Sequence, residues 1–372
     1  MFSTAAQVTR TGAAGPAPDA APQRLVSLDA FRGLTMALMV LVNNAGSDRD
    51  SYFQLRHSEW HGWTLTDTVF PTFLWIVGVA ITLSLGKRVA QGVRRATLVR
   101  QAARRAAILF FLGMLCYAFP HFNLGTQRIL GVLQRIAICF FVASILFLYT
   151  KVRGQICAIA VLLLAYWALM TFVPVPGYGA GRLDIPGNFA HYVDHLVLGS
   201  HNYAETRDWD PEGLVSTLPA IATTLFGVLA GYMLRARRRL FVTGCALLAA
   251  GLIVNIWMPI NKKIWTDSFC FFMAGLDFVV YAAFAWLVDD RGWRTAVKPF
   301  TILGMNAIVI YMLSEFAAEL LSAMHWKRPL YGAIFVPLAS PANASLLYSL
   351  AFVASMWVFA YAMYRRRWFV RV

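Results

Sequence analysis

The sequence predicts an all-α fold, a polytopic membrane helix bundle of about 10 transmembrane helices with both termini cytoplasmic. Three observations carry that expectation. Hydrophobic residues make up 59% of the 372 and charged residues only 14%, far outside the range of soluble domains. Apolar runs recur near residues 26–46, 67–86, 102–120, 129–150, 155–174, 215–235, 240–258, 266–288, 299–322 and 344–364, each close to the roughly 20 residues that cross a hydrocarbon core about 30 Å thick. The runs lack the alternation of barrel strands, so helices, which satisfy their own backbone groups in lipid, are the consistent reading.

The third observation is where the charge falls. The net charge is +15, yet its placement argues against a nucleic-acid partner. Of the lysines and arginines other than Arg32 and Arg135, 22 fall at the termini and in or at the edges of one set of alternate loops, among them the cluster from Lys87 to Arg105 and the arginines 235 and 237–239, and nine in the other set. The positive-inside bias therefore places both termini in the cytoplasm and the stretch LRHSEWHGWTLTD on the outer face. Residues 1–24, rich in Ala, Pro and Gly, read as a disordered cytoplasmic tail without a cleaved signal peptide, ahead of a single transmembrane domain over 25–372. The five cysteines lie inside apolar runs without paired spacing and read as small core residues. The largest outer loop, about residues 175–214, carries the Pro, Gly and aromatic content of an ordered cap over a pocket, with a short helix near AHYVDHLVL. No internal repeat is evident, which weakens a transporter reading.

Polar residues at the ends of the runs are the candidates for chemistry. Asp29 and Arg32 sit three apart on one face of the first span, and Asn43 and Asn44 close its other end, where an unpaired amide is costly in lipid. His57 and Asp67 flank the start of the second span together with Trp60, His61 and Trp63. An imidazole beside a carboxylate suits proton transfer or acyl attack, and the same residues also suit an interfacial aromatic belt. Gln134 and Arg135 lie inside the fourth span, with Asp67 the preferred partner for that arginine or, alternatively, an ion pair that only holds helices together. In DWDPEG, Asp208, Asp210 and Glu212 precede the sixth span and suit a cationic sugar amine, or a helix cap for one of them. His191 and His195 have a helical metal-ligand spacing with no third ligand, so no metal is expected. Asn261, Lys262 and Lys263 offer donors in an outer loop, and Asn306 is an amide within the ninth run.

In this order RLVSLDAFRGLTM, MVLVNNAG, HSEWHGWTLTDTVFP, GVLQRI, WDPEG, NKKIW and GMN resemble the heparan-α-glucosaminide N-acetyltransferase family and its bacterial, NagX-like members, over nearly the whole chain from about residue 24. The resemblance implies a membrane acetyltransferase that takes acetyl from cytosolic acetyl-CoA and delivers it to the amine of a glucosamine unit across the bacterial cytoplasmic membrane, and it points to a homodimer. His57, with Trp60, Gly62, Thr64 and Asp67, matches the family's active-histidine element. Asn43, the stretch Gly131 to Arg135, and Asn306 match three others. On this reading His57, Asp67 and Asn43 are catalytic. Arg32, Asp29, Gln134, Arg135 and Asn306 serve the coenzyme, and Trp60, Asp210, Glu212, Asn261 and Lys262 serve the sugar. His61 stands where the human-type enzyme has asparagine, so a second imidazole competes for the role, and that enzyme's extra N-terminal luminal portion and first span have no counterpart, which leaves the acceptor open. Two mechanisms fit, an acetyl-imidazole intermediate or direct attack by an amine that His57 deprotonates. A sugar permease and an O-acyltransferase of an envelope glycan are the alternatives.

Overall fold

The computed structural model describes residues 25–370, so the tail expected over residues 1–24 lies outside the described residues. The helices are α1 Val26–Asn43, α2 Leu65–Ala90, α3 Arg95–Ala118, α4 Val132–Tyr149, α5 Val152–Phe172, α6 Phe189–Leu198, α7 Thr217–Met233, α8 Arg237–Val254, α9 Asp267–Ala285, α10 Lys298–Met305, α11 Ala307–Ala323, α12 Lys327–Leu330 and α13 Pro341–Arg365. Every apolar run carries a helix, and the short helix expected near AHYVDHLVL is α6. The described residues contain two isolated β-bridges, Gly62 to Asn261 and Val175 to Gly179, and no strand.

Among the described residues six helices are long and apolar enough to cross a membrane: α1, α2, α4, α5, α9 and α13. The ninth run supplies a seventh if α10 and α11, bent by 81°, count as one span. The expected count of ten is therefore met in helix placement and not in span length and composition. The apolar helix α7 is 17 residues long, α8 spends its first turn on Arg237, Arg238 and Arg239, and α3 contains Arg95, Arg100, Arg104 and Arg105. The bend falls at Asn306, whose backbone leaves helical geometry. Its side chain takes the chain end instead: Nδ2 donates to the Trp368 carbonyl at 3.0 Å, and Oδ1 accepts from Val370 N at 3.0 Å.

One continuous hydrophobic cluster runs from Leu28 on α1 to Ala360 on α13. Within it, glycines let backbones touch, the device by which helices associate where lipid is as apolar as the interface. A Cβ at Gly78 of α2 would lie 1.9 Å from the Thr224 carbonyl oxygen of α7, and one at Gly227 would lie 2.0 Å from that of Trp75. Gly33 and Gly304 join α1 to α10 in the same way, with 1.7 Å to the Phe300 oxygen and 2.0 Å to the Asp29 oxygen. Cys116, Cys139 and Cys270 are buried as expected, whereas Cys157 and Cys245 are exposed on the outward faces of α5 and α8. An apolar surface is equally at home against lipid, so hydrophobicity alone does not separate inward from outward positions.

The glycine contacts generate a prediction. Gly78→Ala and Gly227→Ala should each destabilise the bundle by about 1–3 kcal/mol, the usual cost of overpacking. Gly86→Ala, where an added Cβ meets only the Phe147 ring at 3.6 Å, should leave stability unchanged. Thermal melts in detergent followed by size exclusion read the difference; equal melting of all three variants would contradict it.

Candidate active site

The local order of the site begins with a helix start. Thr64 is the N-cap of α2 and Asp67 its third residue, and the two form a reciprocal capping box. Asp67 Oδ2 accepts from Thr64 N at 3.0 Å and Ser58 N at 3.0 Å, with Thr64 Oγ1 at 3.1 Å. Its other oxygen, Oδ1, lies 2.6 Å from His57 Nδ1. A carboxylate already receiving backbone N–H groups is an acceptor, so Nδ1 carries the proton and the lone pair sits on Nε2. The Asp67 side chain is 1% exposed and that of His57 is 50% exposed. The carboxylate is thus sealed in while the imidazole reaches open space.

His61, four residues on, lacks such a carboxylate. Its Nδ1 is 3.5 Å from Asn261 Nδ2, and partial burial lowers its pKa. The two loops are tied together by Gly62 N donating to the Ile260 carbonyl at 2.7 Å and Lys263 Nζ donating to the Glu59 carbonyl at 2.6 Å. Asn261 is buried, with Oδ1 accepting from Lys263 N and Ile264 N at 2.8 and 3.2 Å. Trp60 leans the other way, its Nε1 donating to the Leu183 carbonyl at 3.0 Å and its ring meeting His191 and Trp209 edge-on. His191 stacks on Trp209 at 4.2 Å with neither ring nitrogen bonded, and burial pushes its pKa down to about 3. His195 instead faces Asp208 at 3.6 Å. Among the described residues no group of three His, Cys, Asp or Glu could hold a metal ion.

The acids of DWDPEG do not cap α7, which starts at Thr217 behind Ser216. Asp210 and Glu212 converge instead on Arg128, in the loop before α4. Arg128 Nε donates to Asp210 Oδ2 at 2.7 Å, and its Nη2 reaches both Asp210 and Glu212. The guanidinium lies between the rings of Tyr117 and Tyr203, 4.9 and 4.5 Å from their centroids. Lys262 Nζ stands 3.6 Å from the other oxygen of Glu212. Burial works against the Glu212 carboxylate, but Lys262, Arg128 and Arg135 together outweigh it and hold its pKa well below the ordinary value. Behind this cluster Asp194 of α6 accepts from Leu214 N at 2.9 Å, and burial pushes its pKa up to about 7. Gly213 permits this approach, since a Cβ there would lie 1.9 Å from Asp194 Oδ2.

Arg135 is 1% exposed and does not meet Asp67, the partner expected for it. Its Nη2 donates to the Gly213 carbonyl at 3.0 Å and to Ser216 Oγ, and its plane lies 5.1 Å from the Trp265 ring centroid. Asp67 is already committed to His57 and the helix start, which removes it as a partner. Among the described residues, Nε and Nη1 of Arg135 and both amide atoms of the buried Gln134 have no hydrogen-bond partner. Arg32 pairs with Asp29 at 3.4 Å. Asn43, the last residue of α1, donates to Glu315 Oε1 of α11 at 3.3 Å, and Asn44 turns back to the Val40 carbonyl at 2.8 Å. The structure thus brings His57, Asp67, Trp60, Asn261 and Lys262 into joined loops and links Lys262 to Glu212, Asp210 and Arg128. Asn43 and Asn306 bond elsewhere, to Glu315 and to the chain end. Arg128, Asp194 and Glu315 were missed. The first two give no local signal, but Glu315 is an acid inside an apolar run, which is itself a marker of a polar interior site.

Asp194 generates a pH prediction. Its folded pKa of about 7 lies above the ordinary carboxyl value of roughly 4. Below roughly pH 4 both states are protonated and the protein is at full stability in this respect. As the pH rises toward 7 the unfolded chain releases a proton that the folded one retains, so stability falls by at most about 4 kcal/mol and then levels off. Asp194→Asn should remove that decline. Melting temperatures at intervals between pH 4 and 8 would test it, and an unchanged slope in the variant would count against it.

The sequence matches the family described as Heparan-alpha-glucosaminide N-acetyltransferase, catalytic, over residues 24–254, a stretch that contains His57, Asp67, Arg128, Arg135 and Glu212. It is 30% identical over 360 residues to the human protein named Heparan-alpha-glucosaminide N-acetyltransferase, covering 80% of this chain and 53% of that protein. The mouse protein of the same name is 29% identical over 354 residues, with 78% and 53% covered. The chain spans about half the length of these relatives. On the family match, which takes in more than half of its residues, this chain belongs to the heparan-α-glucosaminide N-acetyltransferase family of membrane N-acetyltransferases.

Proposed function

We propose that the protein moves acetyl from cytosolic acetyl-CoA to the amine of a glucosamine-type sugar on the periplasmic side of a bacterial cytoplasmic membrane. On this reading residues 25–372 work as one acyltransferase domain of ten spans with both termini in the cytoplasm. The observation that carries it is the His57–Asp67 pair: a buried carboxylate 2.6 Å from Nδ1 leaves Nε2 of a half-exposed imidazole free to act. Nε2 takes the proton of the acceptor amine as its nitrogen attacks the acetyl carbon, the C–S bond breaks, and the thiol leaves with a proton. Alternatively Nε2 attacks the acetyl carbon, the C–S bond breaks and the thiol leaves with a proton; the acceptor amine then attacks the acetyl-imidazole, the C–Nε2 bond breaks, and the amine's proton passes to the imidazole. Protein that carries acetyl before any acceptor is added would mark the second route.

The co-substrate is polar along its length, and the residues that fit it are those with unmet donors. Two guanidinium nitrogens of Arg135 and the amide of Gln134 lack partners among the described residues. They would hold carbonyl or amide groups of the donor arm, with Arg32 and the basic stretch 87–105 serving its phosphates at the other mouth.

With purified protein, labelled acetyl-CoA and glucosamine, His57→Ala should lower N-acetylglucosamine formation by about 100-fold or more, the usual contribution of a general base. His61→Ala should retain most of the activity, because its ring has no carboxylate beside it. Full activity in His57→Ala would remove the reading. Ester-linked acetyl on a hydroxyl acceptor would replace it with O-acylation, and sugar uptake without product would replace it with transport.

A further inference from the structure

The amine of glucosamine is cationic near neutral pH, so an acceptor site needs an anion to receive it before a proton is removed. Of the acids that the sequence nominated for this task, Asp208 stays at the surface facing His195, and the other two are spent. Asp210 and Glu212 are neutralised by Arg128 and Lys262, and Asp67 is held by His57. Asp194, Asp267 and Asp277 are 2%, 6% and 2% exposed, too enclosed to meet a sugar. Glu315 differs from all of these. It lies at mid-length of α11, is partly buried, and touches the exposed Asn43. Among the described residues Oε1 accepts that single hydrogen bond, Oε2 has no hydrogen-bond partner, and no basic side chain forms an ion pair with the carboxylate. Arg128 acts on it only through space, and Glu319 adds a second negative charge nearby. The Phe316 ring beside it packs on Phe119 at 5.2 Å, which ties this part of α11 to the loop that carries Arg128.

We infer that Glu315 is the anionic anchor for the ammonium group of the acceptor sugar, with Asn43 holding one carboxylate oxygen so that the other faces the incoming amine. A carboxylate unpaired within a membrane bundle is expensive unless a cation completes it, and an amino sugar supplies that cation only while it is bound. The anchor therefore selects a charged amino sugar and releases the product, whose amide nitrogen is neutral. This rests on the reading of the protein as an amino-sugar acetyltransferase.

The test is equilibrium dialysis of the full chain in detergent with labelled glucosamine and, separately, N-acetylglucosamine, alongside the acetyl-transfer assay. Glu315→Gln keeps an oxygen for Asn43 and removes only the charge. It should weaken glucosamine binding by about 10- to 100-fold, the worth of one hydrogen bond to a charged group. Binding of N-acetylglucosamine and the KM for acetyl-CoA should stay as in the parent. Glu315→Asp, which restores the charge, should recover part of the loss and guards against misfolding of the first variant. Unchanged glucosamine binding in Glu315→Gln, or an equal loss for both sugars, overturns the inference. Selective loss of glucosamine binding in a protein that transfers no acetyl group would uphold the anchor and reject the transferase.

Discussion

Asp67 divides its two oxygens between folding and orientation, and the site is built on that division. Oδ2 takes the N–H groups of Ser58 and Thr64, closing the start of α2, while Oδ1 fixes the His57 ring. The imidazole cannot take up its orientation unless the helix has started in the right place, and the helix start is incomplete without the carboxylate. Because the same acid is only 1% exposed, its attraction for the ring is weakly screened by water. The loop thereby presents Nε2 from a position fixed by the helix start.

The neighbouring loops are held by charge rather than by apolar packing. Arg128 gathers Asp210 and Glu212, Lys262 shares Glu212, and the rings of Tyr117 and Tyr203 flank the guanidinium. Each of these ions is costly to bury alone, and the cluster is stable only because every member has a partner. That requirement fixes the relative position of three segments far apart in sequence, those around residues 128, 211 and 262. Asp194 adds the last link, accepting from the backbone of Leu214 just before α7. The loop over 175–214 is thus bound to the same framework that carries His57.

The apolar runs made the helices legible, because a span must be both long and oily whatever surrounds it. The start of α2 was also legible, since Thr64 and Asp67 stand three apart and His57 lies within the same short loop. What stayed hidden depends on contacts that no local pattern encodes. Arg128 and Asp210 are 82 residues apart, and nothing near either announces the other. Arg135 was expected to pair with Asp67 by the rule that a deep arginine needs an acid, yet a backbone carbonyl and Ser216 receive it instead. The bend at Asn306 was hidden because its cause, the carbonyl of Trp368 and the N–H of Val370, lies at the far end of the chain.

The contrast between Asn306 and Arg135 bears on where a polar co-substrate can lie. Both were expected to serve it, and both are buried amide or guanidinium groups within apolar runs. At Asn306 both functional atoms of the amide are engaged by the chain end, so a ligand there would have to displace existing bonds. Along the first turn of α4 the opposite holds: two guanidinium nitrogens of Arg135 and the whole amide of Gln134 are unmet among the described residues. Each unmet buried group costs about 1–3 kcal/mol, a penalty that a ligand carbonyl or a bound water would relieve. Binding a polar arm there gains what the protein alone forgoes, whereas binding at the α10–α11 bend gains nothing of the kind. On the proposed reading the start of α4, next to Gly213 and Ser216, is therefore where a donor arm would lie.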